Sequence, residues 1–272
     1  MILPLLSQQL VLTLVAKIEA FALFISCIEY LATPELMQAT GLMSWEISRF
    51  RNFWLLIKPV RRTLDLGFAY PNVRVLLLLE GLLACTVIIA PPVIALSLWV
   101  IGPLALLLWL FIARSGYGHD GTDQLHLILF TGLWLISVVH SSTTVTVYLC
   151  FTAFQGCLSY ATAGFAKATE KGWRDGTYLV GVCNTAIYGH PRLGAILASY
   201  PSLACWLARL IVFWECAFPL VFILPLPFAL LILAGGFLFH LTNAYVMGLN
   251  TFLWGFIAIY PAILYCIQLR GW

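Results

Sequence analysis

Long apolar runs decide what this chain can be. A helix needs about 20 mostly apolar residues to cross a bilayer. Runs of roughly that length recur along the sequence, at 9–31, 73–89, 93–113 after the Pro91-Pro92 break, 126–139, 142–167, 202–223, 227–247 and 251–269. The expected fold is therefore an all-α integral membrane protein with about eight transmembrane helices. Two long connections, 32–72 and 168–201, are amphipathic enough to hold interfacial helices and too apolar to be separate soluble domains. The composition leaves little alternative. Hydrophobic residues make up 62% of the chain and charged residues 9%, against roughly 25% charged in soluble domains. So few charges cannot solvate that much apolar surface, which excludes a soluble globule, a disordered chain and a nucleic-acid-binding domain. The expected partners are the lipid bilayer and a hydrophobic small molecule, with no nucleic acid.

Smaller signals refine this. No internal repeat or linker is visible, so residues 1–272 read as one transmembrane domain. Cys27, Cys85, Cys150, Cys157, Cys205, Cys216 and Cys266 lie in apolar stretches without a C-x-x-C pair, and read as free packing thiols. The first positive charge, Lys17, follows the initial apolar residues, so no cleavable signal peptide is expected. Arg49, Arg51, Lys58, Arg61 and Arg62 crowd one connection, with Arg74 just beyond it, and the positive-inside rule places that side in the cytoplasm. Alternation puts Arg114, Lys171, Arg174 and Arg192 on the same side.

Ionisable residues within apolar runs are where function is sought, because each costs about 2.5 to 3.5 kcal/mol near mid-depth and tends to face a cavity or a partner. The candidates are Lys17, Glu19, Glu29, Glu80, His126, His140, Lys167, Arg209, Glu215 and His240. Lys17 and Glu19 stand roughly 200° apart around a helix and cannot pair with each other. Lys17 snorkels or acts; Glu80 and Arg209 are one possible ion pair. Lys167 ends the segment Tyr160-Ala-Thr-Ala-Gly164-Phe-Ala-Lys167, whose small residues allow close helix approach and which sets Tyr160, Gly164 and Lys167 on one face. It is either an interfacial anchor or, losing hydration, a base. His240, Asn243 and Met247 fall within about 60° of one another. There His240 either packs in the core or, with Asn243, orients a carbonyl or phenolic oxygen. Glu215 precedes Pro219 by one turn and can partner Lys167 or His240. Asp120 and Asp123, in a glycine-rich turn, either hold a divalent ion or serve as turn-former and helix N-cap. No phosphate loop, G-x-S-x-G, H-E-x-x-H or zinc spacing occurs.

The stretch Tyr160-Ala-Thr-Ala163-Gly164-Phe-Ala-Lys167, followed by Trp173 and Gly176, resembles the transmembrane motif of vitamin K-dependent gamma-carboxylase and its bacterial relatives, the horizontally transferred transmembrane (HTTM) domain proteins. Phe239-His240-x-x-Asn243, with Phe252 and Pro261 behind it, is similar to the late helix of that carboxylase, which bears a functional histidine. Gly121-x-Asp123-Gln124 is similar to a turn in bacterial members. Together these span about half the chain in the family's order. The chain departs from the carboxylase motif at Ala166, where a lysine is usual, and by one additional residue between Lys167 and Trp173. No counterpart of the carboxylase's large lumenal domain follows, so carboxylation of protein glutamates is not expected to carry over.

The resemblance implies a single HTTM-like domain in a bacterial-type inner membrane and an enzyme of lipid chemistry. Lys167 would abstract a proton from an isoprenoid or quinol lipid, with His240 and Glu215 as further catalytic residues and Tyr160, Gly164, Trp173, Asn243 and Met247 around the substrate. No bound cofactor is needed; a reduced quinone co-substrate with O2 would serve. Two alternatives stand beside it. One is a terpene cyclase using Mg2+, held by Asp120 and Asp123, and a prenyl diphosphate; the other is a non-catalytic partner in peptide maturation or export.

Overall fold

The computed structural model describes residues 6–51, 58–115, 121–186 and 188–271. Every element among them is helical. In chain order they are α1 (Gln8–Ala32), α2 (Trp45–Ser48), α3 (Lys58–Phe68), α4 (Val73–Ile89), α5 (Pro92–Ala95), α6 (Leu98–Arg114), α7 (Gly121–Val139), α8 (Ser142–Thr169), α9 (Lys171–Asp175), α10 (Thr177–Cys183), α11 (Pro191–Ser199), α12 (Pro201–Ala217), α13 (Leu226–Met247), α14 (Asn250–Ala258) and α15 (Tyr260–Leu269).

The expectation of eight spans is corrected. Five helical stretches among the described residues are long and apolar enough to cross a membrane: Gln8–Ala32, Gly121–Val139, Pro201–Phe222, Leu226–Met247 and Asn250–Leu269. A sixth is added if Arg61–Phe68 and Val73–Ile89, bent by 73° at the intervening break, count as one broken span. The break holds Pro71, which cannot continue a helix. The shortfall has physical causes. α6 is apolar but only 17 residues long, about 25 Å at 1.5 Å per residue, and α8, although 28 residues long, is rich in threonine and carries Gln155 and Lys167. Both expected connections contain short helices, α2 and α3 in the first and α9 to α11 in the second.

Large apolar side chains cover the outside. Trp99, Val93 and Tyr245 are each more than four-fifths exposed, with Trp206, Leu210, Phe213, Leu231 and Leu238 exposed on α12 and α13. Apolar surface on this scale is stable in contact with lipid rather than water. The chain is thus an all-helical protein with several long apolar helices, as a multi-pass membrane protein requires.

Two compact units form, Leu12–Tyr148 and Met1–Val11 with Leu149–Trp272, the divisions falling inside α1 and α8. In the first unit the connection after α1 is packed down. Trp45 is buried, meets Phe68 edge-on at 4.9 Å and donates from its indole to Asp65 at 2.8 Å. Met37, Val73 and Leu77 form a small core beside it. Lys17 turns its ammonium to the Ala90 carbonyl at the end of α4, 3.1 Å away, so a carbonyl at the helix terminus satisfies it. Glu80 and Arg209 do not need each other. Glu80 receives the Cys27 thiol, and Arg209 Nε donates to the Arg174 carbonyl at 2.9 Å.

The second unit carries most of the predicted site. Gly164 faces α12 so closely that an added Cβ would stand 2.6 Å from the Cys216 backbone nitrogen and 2.9 Å from the Glu215 carbonyl carbon. Only glycine lets the two backbones meet there. Gly176, with φ of 88°, ends α9 and starts α10 in the left-handed conformation, and a Cβ there would meet the Ala204–Cys205 backbone. All eight cysteines are free thiols.

Candidate functional site

Because Gly164 brings α8 against α12, Lys167 at the end of α8 reaches Glu215 on α12. Its Nζ lies 2.8 Å from both carboxylate oxygens, with the side chains 22% and 5% exposed respectively. Trp173, on the short α9 that follows, places its ring 5.4 Å from the same nitrogen, a cation–π distance. Four residues of the motif, Gly164, Lys167, Trp173 and Gly176, thus build one corner: a close crossing, an ion pair, an aromatic wall and a tight turn. Asp175 tightens the turn by accepting from the Thr177 backbone N–H at 3.0 Å and from its hydroxyl at 2.7 Å. Those bonds, the backbone one foremost, hold the exposed Asp175 carboxyl below the usual range.

Tyr160 lies on the same helix but in a different environment. Its ring stacks on Phe218 at 3.7 Å and its hydroxyl lies 3.3 Å from that of Tyr260. His240 meets the Tyr160 ring edge-on at 5.5 Å and stacks on Phe256 at 4.3 Å. The imidazole is 3% exposed and neither ring nitrogen has a hydrogen-bond partner among the described residues. Burying two such atoms without partners is costly.

Asn243 and Met247 sit elsewhere on α13. They line an apolar groove of about 420 Å³ walled by α10, α11, α12 and α13, to which Leu197, Leu210, Trp214 and Phe239 also contribute. The volume suits a small-molecule site. Trp214 Nε1 is buried without a hydrogen-bond partner, and the walls offer an amide from Asn243. Lys167, Glu215 and His240 do not belong to the lining; the chain neighbours of the last two do, Trp214 beside Glu215 and Phe239 beside His240. Burial pushes the Cys183 thiol at the groove wall upward, keeping it protonated.

The structure therefore joins Lys167 with Glu215 and Trp173, Tyr160 with His240, and Asn243 with Met247, in three neighbouring settings of one unit. Asp120 lies outside the described residues. Asp123 is in the first turn of α7, in the other unit, where it lines a small cavity with Glu80 and His126. Among the described residues no group of three or more His, Cys, Asp or Glu side chains could hold a metal ion. Sequence reasoning missed Trp214 and the groove wall from α10 and α11. The available signal was the apolar spacing of Leu179, Val182 and Cys183 within a connection treated as interfacial.

No family model, curated protein or solved structure matches this chain. The fold defines its class: an all-helical protein with several long apolar helices, of multi-pass membrane character.

Proposed function

We propose that this protein is an HTTM-type enzyme of a bacterial-type inner membrane that takes a hydrocarbon-tailed isoprenoid or quinol lipid into the groove and handles a proton at its polar head. The observation that carries the reading is the Lys167–Glu215 pair, an ammonium and a nearly buried carboxylate in the same unit as a groove sized for an apolar chain. Such a pair can act as a base without leaving a bare charge behind. Transfer of one ammonium proton to Glu215 gives a neutral amine and a carboxylic acid. The amine then takes the hydroxyl proton of a quinol, which becomes the anion while Lys167 returns to ammonium. Trp173 keeps water from the nitrogen. Asn243 holds an oxygen on the guest, and His240 with Tyr160 supports the helix that presents Asn243. Further oxidation of the quinol anion would use O2 as co-substrate.

The test is turnover of a reduced quinone by purified protein in lipid nanodiscs under air. Lys167→Ala should lose about 10² to 10⁴ in rate, the usual worth of a general base, while Lys167→Arg keeps the ion pair without restoring turnover. Undiminished turnover in Lys167→Ala removes the base assignment. Turnover of a prenyl diphosphate that requires Mg2+ would replace this reading with the cyclase, and no turnover together with a co-purifying protein would favour the non-catalytic partner.

A further inference from the structure

The Leu12–Tyr148 unit holds a second set of buried ionisable groups that the lysine site does not use. Glu19 on α1 is fully buried, and its Oε1 lies 2.5 Å from Nδ1 of His126 on α7, a ring 2% exposed. Glu80 on α4 is 5% exposed and receives the Cys27 thiol at 3.4 Å. Glu80, His126 and Asp123 line one partly open cavity of about 60 Å³ together with Ser26, Tyr30 and Ser115. That is room for water, since a cavity needs about 10 to 15 Å³ of such volume per molecule, and the polar wall supplies the partners that water requires.

The charged groups in or next to this space come from four helices. Tyr30 of α1, Glu80 of α4 and Asp123 and His126 of α7 line it; Glu19 joins through His126 and Cys27 through Glu80; the buried Arg114 of α6, in range of Glu46 and Tyr30, gives its Nε to the Phe68 carbonyl at 3.0 Å and has no hydrogen-bond partner for Nη1 or Nη2 among the described residues. Lys17 is directed to Ala90. Glu19 Oε2 is buried with no hydrogen-bond partner among the described residues. An ionised carboxylate in that position is unstable unless it acquires a proton or a cation. The carboxylates and the imidazole do not converge as three ligands on one point, which favours the proton.

We infer that this cavity is an intramembrane proton-binding site, in which Glu80 and the Glu19–His126 pair hold protons and exchange them through water in the cavity. Protons enter and leave as hydronium in the cavity, with no bond to carbon made or broken. The assignment does not depend on the lysine site or on any lipid substrate.

Dicyclohexylcarbodiimide, which reacts with protonated carboxyls in apolar surroundings, tests it on the intact protein, with adducts located by peptide mass spectrometry. Glu80 should be modified, with labelling that falls as pH rises. Glu80→Gln should abolish that adduct, and Glu19→Gln should move the proton concentration for half-labelling of Glu80 severalfold. The pH profile of the unsubstituted protein stands even if either variant fails to fold. Glu80 that stays unmodified at every pH, or is modified equally at all of them, overturns the proposal. Protection by Na+, K+ or Mg2+ at fixed pH overturns it in favour of a cation site.

Discussion

Removing both members of the Lys167–Glu215 pair should cost less than the sum of removing each. At 2.8 Å two unit charges attract by about 6 kcal/mol at an effective dielectric of 20, but dehydration of both groups offsets most of this. Glu215 is 5% exposed and Lys167 22%, so the single substitutions are unequal. Lys167→Met strands a nearly buried carboxylate and should destabilise by about 3 to 5 kcal/mol, the range for breaking a buried pair. Glu215→Leu leaves an ammonium with some access to its surroundings and should cost about 1 to 3 kcal/mol less than that. The double variant Lys167→Met/Glu215→Leu leaves no charge behind, and its cost should fall below the sum by about 1 to 3 kcal/mol. The assay is reversible unfolding of the four proteins in mixed detergent micelles at constant pH, read by tryptophan fluorescence. Additivity within about 0.5 kcal/mol would mean that the two groups do not interact, and the proton-sharing pair would be refuted with it.

Three further outcomes follow from single contacts. Gly164→Val should force α8 from α12, because its Cβ meets backbone rather than a yielding side chain, and should cost about 1 to 3 kcal/mol or more; unchanged melting would show that the two helices do not cross there. Cys150 and Cys266 hold their sulfurs 3.7 Å apart, so mild oxidation of purified protein should join α8 to α15, seen as one cross-linked peptide that is absent in Cys266→Ser. Asp175, whose carboxyl is held low by the Thr177 bonds, should lend stability to the start of α10 above the ordinary carboxylate range and lose it as pH falls through the depressed value. Hydrogen exchange of residues 177–180 should therefore quicken in acid and, in Asp175→Asn, change little with pH once intrinsic exchange is subtracted.

Helical class and the position of nearly every long helix were legible because a bilayer imposes one requirement on length and polarity that composition displays directly. Span number was less legible: α6 and α8 read as spans, yet one is short and the other polar, and length and hydropathy trade off at that margin. The corner at Lys167 was partly legible, since Tyr160, Gly164 and Lys167 share a helical spacing and Glu215 stood out as an expensive charge. Their joining depends on the Gly164 contact with α12, which is visible only once the helices pack. Glu19 and His126, separated by 107 residues, were each recognisable as costly and were not recognisable as a pair. Of the groove only Asn243 and Met247 were singled out; the rest of its walls are ordinary apolar side chains contributed by four helices.

The claim on which the function rests is that the groove between α10, α11, α12 and α13 holds a hydrophobic chain bearing a polar head. The direct measurement is extraction and mass spectrometry of lipid retained by the purified protein, compared with Leu210→Trp/Leu238→Trp, in which two exposed wall residues are enlarged to fill the space. The account predicts a quinone or prenyl lipid retained near one per protein and lost from the filled variant. Bulk phospholipid alone, in equal amount from both proteins, would contradict it.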